Sequence, residues 1–134
     1  MPAGFSGTPL AKKLGFADAS PVYAVAMPAS VKAEIAGVAK PKFLTKPAKG
    51  QPAAHVFATS AKVLAAELKK LRPLLASDGM VWVSWPKKAA KVETDITEDT
   101  IRTIALPMGY VDVKVCAVDE TWSGLKLVIR RSER

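Results

Sequence analysis

Hydroxyl and ammonium side chains follow the ends of three apolar runs in the sequence. The runs cover 22–27, 53–58 and 80–85, and each gives way to a helix start or a loop. If the runs are parallel strands, their carboxyl ends meet at one sheet edge, where open α/β sheets bind ligands. The residues expected at this edge are Ser30, Thr59, Ser60, Trp85, Lys87 and Lys88. Because helix N-termini favour anions, they form a hypothetical site for a phosphate or nucleotide. The alternative is ordinary helix caps beside two solvated lysines.

A second, weaker candidate for an anion site lies near the N-terminus. Ser6, Gly7 and Thr8 place a glycine just before a short helix that carries two lysines. The segment lacks the Gly-Lys-Ser/Thr spacing of a phosphate-binding loop. The alternative is that it ties the N-terminus to the sheet.

The other reactive residue types predict neither a catalytic centre nor a metal site. The sequence has one cysteine, Cys116, and one histidine, His55, which are too few ligands for zinc. Both fall in predicted strands, which favours a packed thiol and a core histidine rather than a nucleophile and its base. Asp99 is explained as the first-turn charge of a helix. Trp122 is expected to fold back onto the core, with an exposed contact surface as the alternative.

The elements that position these residues alternate between helix and strand. Four helix caps are predicted: Thr8, Ser30 and Thr97 each precede a short helical segment, and Thr59 or Ser60 precedes the longest one. The longest predicted helix, 60–76, carries a stripe of leucines at helical spacing. It also contains Pro73, so it should kink or stop just before that residue.

The order of the elements predicts an α/β fold. Strand–helix alternation indicates a mostly parallel sheet in a three-layer, Rossmann-like sandwich. The runs 110–118 and 124–129 are joined so closely that they predict a C-terminal antiparallel hairpin. The length of 134 residues suits a single domain over 1–134. Its Lys/Pro-rich segment 38–52 is predicted to be a loop, with a brief strand at Phe43-Leu44 as the alternative, and the tail 130–134 to be frayed.

Charge and apolar patterning limit the possible partners and the location. The formal net charge is +8, and residues 1–50 carry +5 of it. Such a field attracts anionic partners, so nucleic acid is a possible partner beside an anionic small molecule or protein. The N-terminus does not read as a secretory signal and no run is long enough to span a membrane, which predicts a cytoplasmic protein without membrane contact.

The element order resembles a shortened class I methyltransferase, and 74–83 is similar to the helix–turn–strand passage before the last parallel strand of that fold. The resemblance implies a glycine-rich turn after the first strand and an acidic residue after the next. Here 27–31 has no glycine, and the run 53–58 is followed by Thr59 and Ser60 rather than an acid. Binding of a methyl donor is therefore not expected.

Four further segments resemble a bacterial family of small proteins known as domain of unknown function family 3052. They are 7–15, 85–88, 94–99 and 111–127. The resemblance implies a free-standing domain without an established activity, and it assigns no catalytic residue.

The prediction from the sequence is a non-enzymatic cytoplasmic module, without a cofactor, that binds an anionic ligand or partner. A degenerate methyltransferase-like enzyme and a nucleic-acid-associated protein are the alternatives. The missing glycine turn is the feature that argues against the enzyme.

Overall fold

The computed structural model describes residues 8–134, so Ser6 and Gly7 of the second candidate site lie outside the described residues. In chain order the helices and strands are α1 (Leu10–Leu14), β1 (Pro21–Val25), α2 (Ala29–Ala36), β2 (Lys42–Leu44), β3 (Gln51–Phe57), α3 (Ala61–Leu71), β4 (Leu75–Pro86), α4 (Glu98–Ala105), β5 (Tyr110–Ala117) and β6 (Trp122–Ile129). Short 3-10 turns cover Lys88–Ala90, Leu106–Met108 and Arg131–Glu133.

The six strands form one mixed sheet in the order β2-β1-β3-β4-β6-β5. The pairs β1–β2, β1–β3 and β3–β4 are parallel, whereas β6 runs antiparallel to both β4 and β5. The α/β class is therefore confirmed. The chain leaves β1 for β2 on one side and then returns past β1 to form β3 on the other. Between β1 and β3 the strand order reverses, which is where ligands bind in open sheets of this kind.

Apolar side chains cover both faces of the sheet. On one face Leu64, Leu68 and Leu71 of α3 pack with Ile101 of α4 against β3, β4 and β6. The other face is covered by α1 and α2, whose apolar residues pack around the fully buried Trp82. The indole N–H of Trp82 donates to the carbonyl oxygen of Leu14 at 2.8 Å, which fixes α1 to the sheet.

The helix ends follow local sequence signals in two of the four predicted cases. Ser60 caps α3, and α3 ends at Leu71 ahead of Pro73. Thr97 caps α4 through a reciprocal pair of hydrogen bonds with Thr100. Thr8 makes no cap, because Pro9 holds the N-cap position of α1.

Three segments differ from the sequence-based predictions. The predicted loop 38–52 contains the edge strand β2, which hydrogen-bonds to β1. The helix predicted over 60–76 ends earlier than expected, because β4 begins at Leu75, and the helix–turn–strand passage expected over 74–83 is strand from Leu75 onward. The tail 130–134, predicted to be frayed, contains a 3-10 turn, and Glu133 pairs there with Arg72.

Among residues 8–134, no helix is both long and apolar enough to cross a membrane.

Candidate functional site

A small cavity lies at the carboxyl ends of β1 and β2. Its volume is about 190 Å³. Both strands, the turn after β1 and the first turns of α2 supply its lining residues, Ala24, Met27, Lys32, Phe43, Leu44 and Thr45. The Lys32 ammonium lies 5.5 Å from the centre of the Phe43 ring, a cation–π contact that holds both side chains at the cavity wall. The cavity therefore adjoins the point at which the strand order reverses.

The turn that leads from β1 into this cavity has an unusual backbone. Ala26 follows the last residue of β1 and has a φ of 53°, in the left-handed region that favours glycine. An L-residue with a side chain pays about 1–2 kcal/mol for that conformation. The chain therefore forms, with alanine, the kind of tight turn for which Rossmann-like folds use a glycine.

A second cavity, of about 450 Å³, opens at the carboxyl end of β3. It is lined by Thr59, Ser60, Glu93, Thr94 and Asp95. Two hydrogen bonds join the loop before α4 to the segment that follows β3: the Thr94 hydroxyl donates to the Thr59 carbonyl at 2.7 Å, and an Asp95 carboxylate oxygen accepts from the backbone N–H of Ala61, the first residue of α3, at 2.7 Å. Asp95 is thus a helix cap, whereas Glu93 is an exposed carboxylate on the cavity wall.

Thr59 and Ser60 are the two predicted ligand residues that the structure brings together, since both line the second cavity. The Ser60 hydroxyl is already used, because it accepts from the backbone N–H of Val63. Ser30 is not a cap: α2 begins at Ala29 behind Pro28, and Ser30 is an exposed residue of its first turn.

The other predicted ligand residues do not line either cavity. Trp85 is only 9% exposed and packs into the core beneath α3 and α4, because β4 presents it to that face. The backbone N–H of Lys87 donates to the Thr121 carbonyl at 2.8 Å, and Lys88 begins an exposed 3-10 turn. Trp85 is therefore a core residue, Lys87 and Lys88 lie away from both cavities, and a ligand at these three residues stays a prediction.

His55 and Ser84 form a buried pair that sequence reasoning missed. The His55 Nε2 and Ser84 Oγ atoms lie 2.7 Å apart, and neither residue is exposed. The His55 ring stacks on Phe57 and contacts Phe16 edge-on. Burial lowers the pKa of His55 to about 3, so the ring is neutral at physiological pH. The signal for the pair is the parallel register of β3 and β4, which the sequence does not display.

Cys116 and Trp122 lie on the same side of the sheet as His55. Cys116 is half-buried, and burial raises the pKa of its thiol, which disfavours the nucleophilic thiolate. Trp122 contacts Phe57 edge-on at 5.1 Å, which confirms that it folds onto the core. Within residues 8–134, no group of three metal-ligating side chains comes together.

The fold is similar to that of solved methyltransferases at low sequence identity. A SAM-dependent methyltransferase from Aquifex aeolicus matches with a TM-score of 0.60 and 14% identity, over 88% of this chain and 86% of that chain. The 1,6-didemethyltoxoflavin-N1-methyltransferase of Burkholderia thailandensis, with bound S-adenosylhomocysteine, matches with a TM-score of 0.60 and 11% identity over 91% and 77%. The magnesium protoporphyrin IX methyltransferase of Synechocystis PCC 6803 has a TM-score of 0.58 and 14% identity over 90% and 74%.

These similarities establish a methyltransferase-like α/β fold. The sequence matches no protein-family model and no curated protein, so membership of domain of unknown function family 3052 stays a prediction. The prediction of a non-enzymatic module for an anionic ligand is wrong, because the solved structures reported above, which share the fold, are methyltransferases.

Proposed function

We propose that the chain is a small methyltransferase-like enzyme that binds S-adenosylmethionine in the cavity at the ends of β1 and β2. The observation that carries the proposal is the left-handed turn at Ala26, next to Met27 of the cavity wall and at the end of β1, the strand beside the switch point of the sheet. Residues held in such conformations cluster at ligand sites, where the surrounding structure maintains the strain. The shared fold supports the same position for the donor.

The residues around the cavity fit a methyl donor in three respects. Phe43 and Leu44 provide an apolar wall for an adenine ring, and the Thr45 hydroxyl lies just past β2, where it can bond a ribose hydroxyl. The turn after β1 brings backbone close to the cavity.

Two features of the cavity differ from those expected of a methyl-donor site, and both should weaken the binding of S-adenosylmethionine. The strand that follows β1 in the chain is β2, not β3 as the sequence suggested, and it ends in Leu44-Thr45-Lys46 without a carboxylate. The cavity of about 190 Å³ is also smaller than the roughly 300–1,000 Å³ of most ligand pockets. It would therefore enclose only part of the donor, and we expect micromolar rather than nanomolar affinity.

The donor, when bound, supplies an electrophilic methyl group; the chain's own residues would hold the acceptor. The second cavity lies one strand away at the end of β3 and is large enough for a small group. Its two carboxylates differ in role, since Asp95 caps α3 and Glu93 can accept a proton from the acceptor.

Calorimetric titration with S-adenosylhomocysteine tests the donor site. Phe43→Ala and Thr45→Val should each weaken binding at least about fivefold, through lost stacking and a lost hydrogen bond. Thr103→Val, an exposed threonine of α4, is the matched control and should leave the Kd unchanged. Absence of heat up to about 1 mM ligand, or equal effects of Thr45→Val and Thr103→Val, would contradict the proposal.

A further inference from the structure

The end of β2 lacks the carboxylate that nucleotide-binding α/β sheets place at this point. In the dinucleotide-binding folds, an Asp or Glu about 20 residues beyond the first turn bonds the ribose 2′-hydroxyl. Thr45 holds the equivalent place, because it follows β2 and stands about 20 residues beyond Val25, the last residue of β1. Between Glu34 and Glu67 the sequence has no acid at all. No carboxylate of this segment therefore opposes a negative charge on a bound ribose.

A cation lies at the cavity wall instead. Lys32 of α2 lines the same cavity as Phe43 and Thr45, and its ammonium is 5.5 Å from the centre of the Phe43 ring. Among the described residues, none of the ion pairs includes Lys32. Glu34 is the only acid of α2, and it stands two positions further along, where residues of a helix do not face each other. The charge of Lys32 is thus available to a ligand in the cavity.

The contact between Lys32 and Phe43 can be exchanged for contacts with a ligand. Lys32 is an exposed residue, and a cation–π contact at an exposed site is weaker than a charge-assisted hydrogen bond from an ammonium to a phosphate. A phosphate at the mouth of the cavity would therefore draw the ammonium away from the ring. The ring face that becomes free is a surface on which a base can stack. The two residues together thus suit a ligand that carries both a base and an anionic group.

We infer that the cavity binds adenosine nucleotides that carry a phosphate on the 2′- or 3′-hydroxyl of the ribose. Dinucleotide-binding folds show the same exchange, since a cationic side chain replaces the acid where the ribose is phosphorylated. Lys42 and Lys46, on either side of Phe43 and Thr45 in the chain, add to the positive field. The choice of adenine rests on the proposed function, because the proposed donor is itself an adenosine derivative. Such nucleotides would compete with S-adenosylmethionine for the cavity.

Calorimetric titrations with adenosine 2′-, 3′- and 5′-monophosphate, at about 50 mM salt and without any methyl donor, test the inference. The three isomers have the same composition and differ in the position of the phosphate. The 2′- or the 3′-isomer should bind at least about fivefold more tightly than the 5′-isomer and than adenosine. The tighter of the two identifies the ribose hydroxyl that carries the phosphate.

Two variants test the residues that select the phosphate. Lys32→Gln should weaken binding of the preferred isomer at least about fivefold and change that of adenosine less than about twofold. Thr45→Asp places a carboxylate at the end of β2, so it should weaken the preferred isomer at least about tenfold without weakening adenosine. The matched control Lys69→Gln removes the charge of an exposed lysine of α3 and should change the Kd of the preferred isomer less than about twofold. Thermal melts verify that all three variants fold.

Four results would overturn the inference. They are absence of binding of the 2′- and 3′-isomers up to about 1 mM, binding of the 5′-isomer as tight as that of both others, equal losses in Lys32→Gln and Lys69→Gln, and binding of inorganic phosphate as tight as that of the preferred isomer. If the isomers bind as expected and S-adenosylhomocysteine does not, the proposed function alone is refuted. If S-adenosylhomocysteine binds and the three isomers do not differ, the inference alone is refuted.

Discussion

The protein should become less stable as the pH falls from about 7.5 to 5, and replacing His55 by glutamine should abolish a large part of that loss. The imidazole is completely buried, stacks on Phe57 at 4.3 Å and has one hydrogen-bonded nitrogen, Nε2, which meets Ser84. The other nitrogen, Nδ1, has no hydrogen-bond partner among the described residues. Nothing in this environment compensates a positive charge, so burial lowers the pKa from 6.5 to about 3.

The sign and size follow from proton linkage. The unfolded chain takes up a proton on His55 as the pH falls below 6.5, and the folded chain does so only near pH 3. The contribution of the neutral ring to the free energy of unfolding is thus fully present above pH 6.5 and is lost as the pH falls toward 3. At 1.36 kcal/mol per pH unit, the loss at pH 5 relative to pH 7.5 is about 2 kcal/mol.

Urea unfolding at both pH values measures this difference. His55 is the only histidine in the sequence, so the wild type and His55→Gln share every other group that titrates in this range. The free energy of unfolding of the variant should fall by about 2 kcal/mol less than that of the wild type. Equal losses in the two proteins would refute the reasoning. If the variant does not fold, the wild type alone decides: the single histidine resonance should not titrate above about pH 4, and a midpoint near 6.5 would contradict the buried neutral ring.

Three further substitutions test how the fold positions the site, each by chemical denaturation. Ala26→Gly should raise the free energy of unfolding by about 0.5 kcal/mol, because the relief of backbone strain at this position exceeds the cost of the added entropy of the unfolded chain. The control Ala33→Gly, within α2, should lower the free energy of unfolding by about 1 kcal/mol. A loss of stability in both variants would contradict the strained turn. Leu68→Ala should lower the free energy of unfolding by about 2–5 kcal/mol, because it leaves a cavity beneath α3. A decrease of less than about 1 kcal/mol would contradict the packing described. Trp82→Phe should cost about 1–3 kcal/mol by leaving the Leu14 carbonyl without its donor, and an unchanged midpoint would show that this hydrogen bond does not hold α1.

Local chemistry explains which parts of the fold the sequence predicts. Ser60, Thr97 and Pro73 act on their own helices, so their effects are visible in the sequence, and the caps and the end of α3 follow from them. Ser30 fails as a cap because Pro28, two residues earlier, already starts the helix. The extension of β4 back to Leu75 depends on pairing with Gln51, which is a tertiary contact.

The site was harder to predict, since it depends on which face of a strand each residue occupies. Trp85 ends a run that is mostly apolar on both faces, so no alternation in the sequence shows which of its side chains point into the core. Ala26 carries no glycine signal although its backbone adopts a glycine-like conformation. Phe43 lies on β2 and Thr45 follows it, in a lysine- and proline-rich segment where the sequence favours a loop and only the register with β1 establishes the strand.

The central claim is that a methyl donor binds at the turn after β1. Backbone amide chemical shifts of isotope-labelled protein, recorded as S-adenosylmethionine is added, test this most directly. The largest changes should appear at Met27, Lys32, Phe43 and Thr45, which surround the cavity between β1 and β2. Absence of shifts at saturating donor, or shifts confined to residues of β5 and β6 on the far side of the sheet, would contradict it.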